Sequence, residues 1–188
     1  MGTSAERWRF SVKDYHRMLE VGILCDGDPV ELLDGELFTM AAMGGRHAAA
    51  GRRLNHRFHT AIGERGIVSD QSPVQLSDYS EPEPDVALLH PRADNYQSDH
   101  PRPDDVFLIV EIADSTIGRD RHQKIPLYAA AGIPEVWIAN IIDDCFEVYR
   151  DPTDGAYRTT FRVQRGETVA PLAFPDIVID IAAILGEP

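Results

Sequence analysis

Apolar positions fall into two rhythms along this chain, and the change between them divides it into regions. From Val12 to Val21, Tyr15, Met18 and Leu19 recur at helical spacing behind Ser11 and Asp14, which predicts a first helix with a capping box. "VELLDGELFTM" (Val30 to Met40) predicts a hairpin turning at Asp34-Gly35. From Arg46 to Ile62, the residues Ala50, Leu54, Phe58, Ala61 and Ile62 mark a second, amphipathic helix. Strand patterns then take over: a weakly alternating "IVSDQSPVQL", followed by the continuous apolar runs "DVALL" and "FLIVEIA" of buried strands.

His90 to Asp105, rich in Pro and Asp, reads as a long surface loop. A third helix is expected from about His122 to Ala131, ending at Gly132 with Pro134 beyond. Helix propagation is expected to begin near Gln123, leaving Asp120 outside, because Pro126 suits only a first turn. "EVWIANI", "CFEVYRD" and "YRTTFRV" follow as three strands with an Asp154-Gly155 turn, and "IVIDIAAIL" closes the chain as a strand end or short helix. The expected architecture is α/β (α+β): one domain over residues 1–188, core about 30–185, with a central mixed sheet flanked by helices.

Charge narrows the partners. With 31 acids against 18 Lys+Arg, the formal charge of −13 opposes non-specific nucleic-acid binding. The stretch "RHAAAGRRLNHRFH" is a local exception, with four arginines, three histidines and no acid. Arg46, Arg53 and Arg57 share one side of that helix and could take phosphate contacts, although a solvated face explains them equally well. His56 and His59 are spaced for a transition metal but lack a third ligand. Cys25 and Cys145 have no metal-ligand spacing and are expected to be reduced. No apolar run spans a bilayer and the N-terminus has no signal core, so the expected location is the cytoplasm, with no membrane partner.

The chemistry concentrates between Glu83 and Tyr128. Asp85 and Glu111 each sit in a β-rich apolar run, where a carboxylate is costly unless paired or holding a metal. Sixteen of the 18 basic residues are arginine, leaving only Lys13 and Lys124. A lysine retained in this stretch can place a compact charge on a water or phosphate. The plainer alternatives are acids paired with nearby arginines and a surface lysine paired with Asp120.

These residues resemble a known pattern. "VELLDGELF", a histidine near a helix start, "PDVALL", "LIVEIADST", "DRHQKIPLYAAAGIPEVWI" and "FPDIVIDIAAIL" are similar to the Uma-two family, a branch of the PD-(D/E)xK nuclease superfamily. The resemblance covers about Glu31 to Leu185 and implies a restriction-endonuclease-like fold. It implies Asp85 and Glu111 as metal-binding acids, with the carbonyl of Ile112 as a further ligand, and Mg²⁺ (Mn²⁺ substituting) as cofactor. Lys124 corresponds to the active-site lysine. The superfamily spacing puts that lysine at Ala113, whereas this branch supplies it from the following helix. Glu36, in "DGEL", matches an early acid of the branch and is expected as an extra ligand or water positioner. His47 matches a histidine of unassigned role, and Tyr128 flanks the site.

The activity implied is metal-dependent hydrolysis of nucleic-acid phosphodiesters, DNA before RNA, by a homodimer. The base is left open between Lys124 and an activated water. The alternatives are a binding module that kept the fold without turnover, which the charge of −13 favours, and a metal hydrolase of smaller phosphoesters.

Overall fold

The computed structural model describes residues 7–25 and 27–187. The first helix, α1 (Val12–Glu20), begins at the expected capping box: the Asp14 N–H donates to Ser11 Oγ (3.1 Å) and the Ser11 N–H to Asp14 Oδ2 (2.9 Å). Val12 and Tyr15 bury against Leu32 of the hairpin β1 (Val30–Leu33) and β2 (Glu36–Thr39). Asp34 and Gly35 both have positive φ (49° and 80°), as a two-residue turn matched to strand twist requires. A side chain at Gly35 would also meet Arg9 Cβ at 2.6 Å.

A six-stranded sheet forms the centre. Its order is β3 (Ile67–Asp70), β4 (Val86–Leu89), β5 (Val106–Ala113), β6 (Glu135–Asn140), β7 (Cys145–Thr153), β8 (Ala156–Gln164). β5 and β6 run parallel, and the other neighbours are antiparallel. The sheet is therefore mixed, as expected. Alternation along the central strands sends side chains to two covered faces. Val86, Leu88, Leu108, Val110 and Trp137 pack under α2 (Gly45–Ile62), whose Ala50, Leu54, Phe58 and Ile62 form its buried stripe. Ala87, Ile109, Val136 and Ile138 pack on the opposite face, with Ile125 and Tyr128.

The crossover from β5 to β6 corrects the sequence expectation. Helix begins earlier than Gln123: α3 (Ile117–Arg119) passes through a π-helical turn (Asp120–Lys124) into α4 (Ile125–Ala131). The Ile125 N–H reaches back to the Asp120 carbonyl, so the wide turn ends just before Pro126 and accommodates its missing donor. Asp120 is consequently inside the helical segment. Gly132 closes α4 in the left-handed conformation (φ 80°).

Strand β3 is shorter than the pattern predicts, because Gln71 to Asp85 runs irregularly with isolated bridges such as Leu32↔Glu81. At the C-terminus β9 (Thr168–Val169) and β10 (Ile179–Asp180) pair, and α5 (Ile181–Leu185) joins the α2-side core. Among the described residues no helix is long and apolar enough to cross a membrane. Both cysteines are free, Cys145 buried and Cys25 exposed.

Candidate active site

Strand pairing brings the central acids together. Asp85 stands at the entry to β4, and Val86 pairs with Val110, so Asp85 arrives beside the C-terminal half of β5. There Asp85 Oδ2 accepts the Ile112 N–H at 2.7 Å and Oδ1 meets His47 Nε2 at 2.8 Å. Glu111, buried next to Ile112, points away from α2 to the face that the crossover helix covers. Lys124 Nζ lies 3.1 Å from Glu111 Oε1, and the Tyr128 hydroxyl donates to the same oxygen at 2.5 Å. The spacing of Lys124 and Tyr128, one helical turn apart, lets both reach one carboxylate.

These side chains line or back a cleft of about 440 Å³, walled by Glu31, His47, Asp85, Glu111, Ile112, Asp120 and Lys124 among others. Lys124 is only 6% exposed, which removes the reading of a surface lysine paired with Asp120. Its second partner is Glu31, with Nζ–Oε2 at 3.0 Å. Sequence reasoning missed Glu31 and named Glu36. The hairpin register explains the difference. Glu31 stands opposite Phe38 at the open end, whereas Glu36 stands opposite Leu33 beside the turn. Two residues of strand are about 6.7 Å, more than side-chain flexibility recovers here. Glu36 instead pairs with Arg7 at 2.7 Å and does not line the cleft. The missed signal was Glu31 itself, an acid in the apolar run "VELL" that is 1% exposed.

Arg119, Asp120 and Glu83 also line the cleft without having been named as site residues. Arg119 donates to the Thr39 carbonyl (3.0 Å) and approaches Glu31 (3.5 Å). Asp120 accepts the Thr116 hydroxyl at 2.9 Å. The arginines of α2 are not brought to the cleft. Three of the four spend an N–H on a backbone carbonyl: Arg46 on Ile141, Arg53 on Ile184 (3.2 Å) and Arg57 on Val178 (3.0 Å). Arg53 and Arg57 thereby fasten the C-terminal segment to α2.

The electrostatics follow from one buried ammonium among several acids. Burial pushes the Glu111 carboxyl up to about 8; Lys124 pulls it down, and Asp120, Asp85 and Glu31 add to the rise. Burial would lower the Lys124 pKa, but Glu111, Glu31 and Asp120 outweigh it and hold the ammonium charged, above the usual lysine range. Burial raises Asp120 and Glu83 as well, and Lys124 opposes the rise only in part. Burial opposes the charged form of His47, yet Asp85 holds that imidazole above its ordinary value. The cleft therefore gathers more acids than cations, and their carboxyl oxygens are hard donors. A divalent cation held by one or two carboxylates, waters and a substrate phosphate suits that donor set.

Residues 12–182 match the profile of the Uma-two family, described as "Putative restriction endonuclease". The chain belongs to this family. The match spans both the hairpin that carries Glu31 and the β4–β5–helix unit that carries Asp85, Glu111 and Lys124. This Uma-two chain is also similar to a solved structure, a "putative nuclease" from Anabaena variabilis. The TM-score is 0.74 at 14% identity, covering 94% of this chain and 97% of that one. At that identity the likeness concerns the fold, a mixed sheet flanked by helices. No curated protein matches the chain significantly.

Proposed function

We propose that this Uma-two chain is a metal-dependent nuclease that hydrolyses phosphodiester bonds, with DNA as the first substrate to test. The observation that carries the reading is the buried contact of Lys124 with Glu111 and Glu31 in the same cleft as Asp85. Asp85, Glu111 and the Ile112 carbonyl would hold Mg²⁺, or Mn²⁺ in its place. The bound cation would polarise the phosphate and lower the pKa of its water.

The chain's own residues supply the rest. The Ile112 N–H and His47 fix the Asp85 carboxylate, leaving little orientational freedom to lose when a ligand binds. Tyr128 holds Glu111 from behind at the oxygen it shares with Lys124. Lys124 is held charged, which suits it to orienting the attacking water and stabilising negative charge on phosphate oxygens rather than accepting a proton. Arg119, at the cleft wall, offers a second cationic contact against the overall acidity of the chain.

The test is cleavage of plasmid and of single-stranded RNA with Mg²⁺ or Mn²⁺, comparing wild type with Asp85→Asn and Lys124→Met. Cleavage lost in both variants supports the assignment; unchanged cleavage in Lys124→Met removes the lysine from it. Calorimetric Mg²⁺ binding without turnover on any nucleic acid would favour the binding-module reading. Turnover confined to small phosphodiesters would replace the nucleic-acid substrate.

A further inference from the structure

On the hairpin side of the molecule, α1 and the long β4–β5 connection meet the segment that leads into Asp85, and three ligand side chains converge there. Nε2 of His16 lies 2.7 Å from Oε1 of Glu81, and His100 completes the group; the ligand atoms all lie within 4.8 Å of one another. The two imidazoles meet edge to face, with ring centroids 5.8 Å apart and planes at 68°. Glu81 is 2% exposed, and its second oxygen, Oε2, has no hydrogen-bond partner. A buried carboxylate oxygen without a donor is unusual in a folded protein and calls for a cation or another partner.

We propose that His16, Glu81 and His100 bind a divalent transition metal, Zn²⁺ in the first instance, at a site separate from the cleft. Two imidazole nitrogens and one carboxylate oxygen are a donor set suited to Zn²⁺, Cu²⁺ or Ni²⁺, whereas Mg²⁺ prefers oxygen alone. Ion–ligand bonds of about 2.0–2.2 Å require only small side-chain movements from the present separations. A hydrogen-bonded His16–Glu81 pair by itself accounts for one carboxylate oxygen and leaves both Oε2 and the approach of His100 unexplained.

The scaffold holds the three ligands in place independently. Tyr15, next to His16, donates to the Val30 carbonyl at 2.8 Å. The Glu81 N–H donates to Leu32 (2.8 Å), and the Pro101 carbonyl beside His100 accepts the Gln75 N–H (2.9 Å). His16 and His100 are only partly buried, so solvent can fill the remaining coordination position. The ion would tie α1 and the long connection to a segment that reaches Asp85 four residues after Glu81. Its role is to brace the approach to the cleft. The sequence concealed the site because His16, Glu81 and His100 lie on three distant segments.

The test uses the full chain stripped of metal, carrying Asp85→Asn and Glu111→Gln so that the cleft does not contribute. Zn²⁺ is titrated by calorimetry, and Co²⁺ by its visible d–d absorption. The expected result is one saturable event with Zn²⁺, a Co²⁺ spectrum of low coordination number, and none with Mg²⁺. His16→Ala and His100→Ala should each weaken binding at least ~10-fold, while His56→Ala with His59→Ala leaves it unchanged. Both ligand histidines are partly exposed, so these variants are expected to fold, as circular dichroism would verify. Should the cleft variants misfold, wild type with the cleft saturated by Mg²⁺ replaces them. Equal Zn²⁺ affinity in the parent and in both histidine variants overturns the proposal, as does the absence of saturable binding by the parent.

Discussion

Glu111 and Glu147 occupy one cross-strand row of the same sheet face, with Ile138 between them, yet their surroundings lead to opposite outcomes. The π-helical turn crosses this row and sends Arg121 to one glutamate and Lys124 to the other. Around Glu147 the donors outnumber the acid: Arg121 forms a two-point pair (Nε at 2.9 Å), Tyr149 donates at 2.9 Å, and Arg162 and Asn140 approach at 3.2 and 3.3 Å. Burial would raise that carboxyl, but these donors overcome it and hold it at about 2. Around Glu111 burial is complete and dominates; Lys124 pulls the carboxyl down only in part, nearby acids add to the rise, and it stands at about 8. The first arrangement is a satisfied structural pair. The second is a fully buried carboxyl with one ammonium and one hydroxyl for partners, and strongly shifted groups of this kind are enriched in functional clefts.

The sharpest contrast is in activity. Lys124→Met should reduce Mg²⁺-dependent plasmid cleavage by at least ~100-fold, whereas Arg121→Ala should leave the rate of folded protein nearly unchanged. Stability should respond the other way. Arg121→Ala leaves Glu147 with weaker partners and should cost about 2 kcal/mol by urea unfolding, since Arg162 and Tyr149 still hold the carboxylate.

Glu111→Gln replaces a carboxyl that the metal-free fold must keep protonated with a side chain that is neutral in both states. It should abolish cleavage while raising the melting temperature by roughly 2–4 °C, a separation of function from stability. The pH dependence should differ between the two glutamates. Glu147 is depressed from 4.5 to about 2 in the fold, so its stabilisation is present above 4.5 and lost as pH falls through that window. Glu111 is raised from 4.5 to about 8, so the fold holds a proton that the unfolded chain releases, and stability declines as pH rises between those values. Thermal melts of metal-free Glu147→Gln and Glu111→Gln should therefore flatten opposite limbs of the stability profile. The smallest effect concerns the hairpin: Glu36→Ala should leave cleavage within about twofold of wild type, while Glu31→Gln, which loosens Lys124, should reduce it about tenfold.

The Glu111 side of this comparison was legible in the sequence, whereas the Glu147 side was not. Buried-strand runs around Asp85 and Glu111 could be read because a carboxylate in a continuous apolar stretch stands out against its neighbours. Lys124 could be read because lysine is so scarce in this chain. Glu36 was favoured over Glu31 on its place in the "DGEL" motif, and only the pairing of β1 with β2 puts Glu31 at the cleft end. Arg46, Arg53 and Arg57 look alike on a helical wheel, and their backbone acceptors belong to segments far away in the chain.

By itself the sequence determined the periodicities: where helices and strands form, which residues cap and turn them, and which acids sit in apolar runs. Those properties are local, set by neighbours within one or two turns or pleats. The tertiary structure decided everything that depends on register and count. It set the π turn that seats Pro126 and brings Lys124 and Arg121 to different glutamates. It chose Glu31 over Glu36, and it gathered His16, Glu81 and His100 from three segments. The charge state of each buried group depends on how many partners surround it in space, and contacts between residues dozens of positions apart leave no periodic trace in the chain.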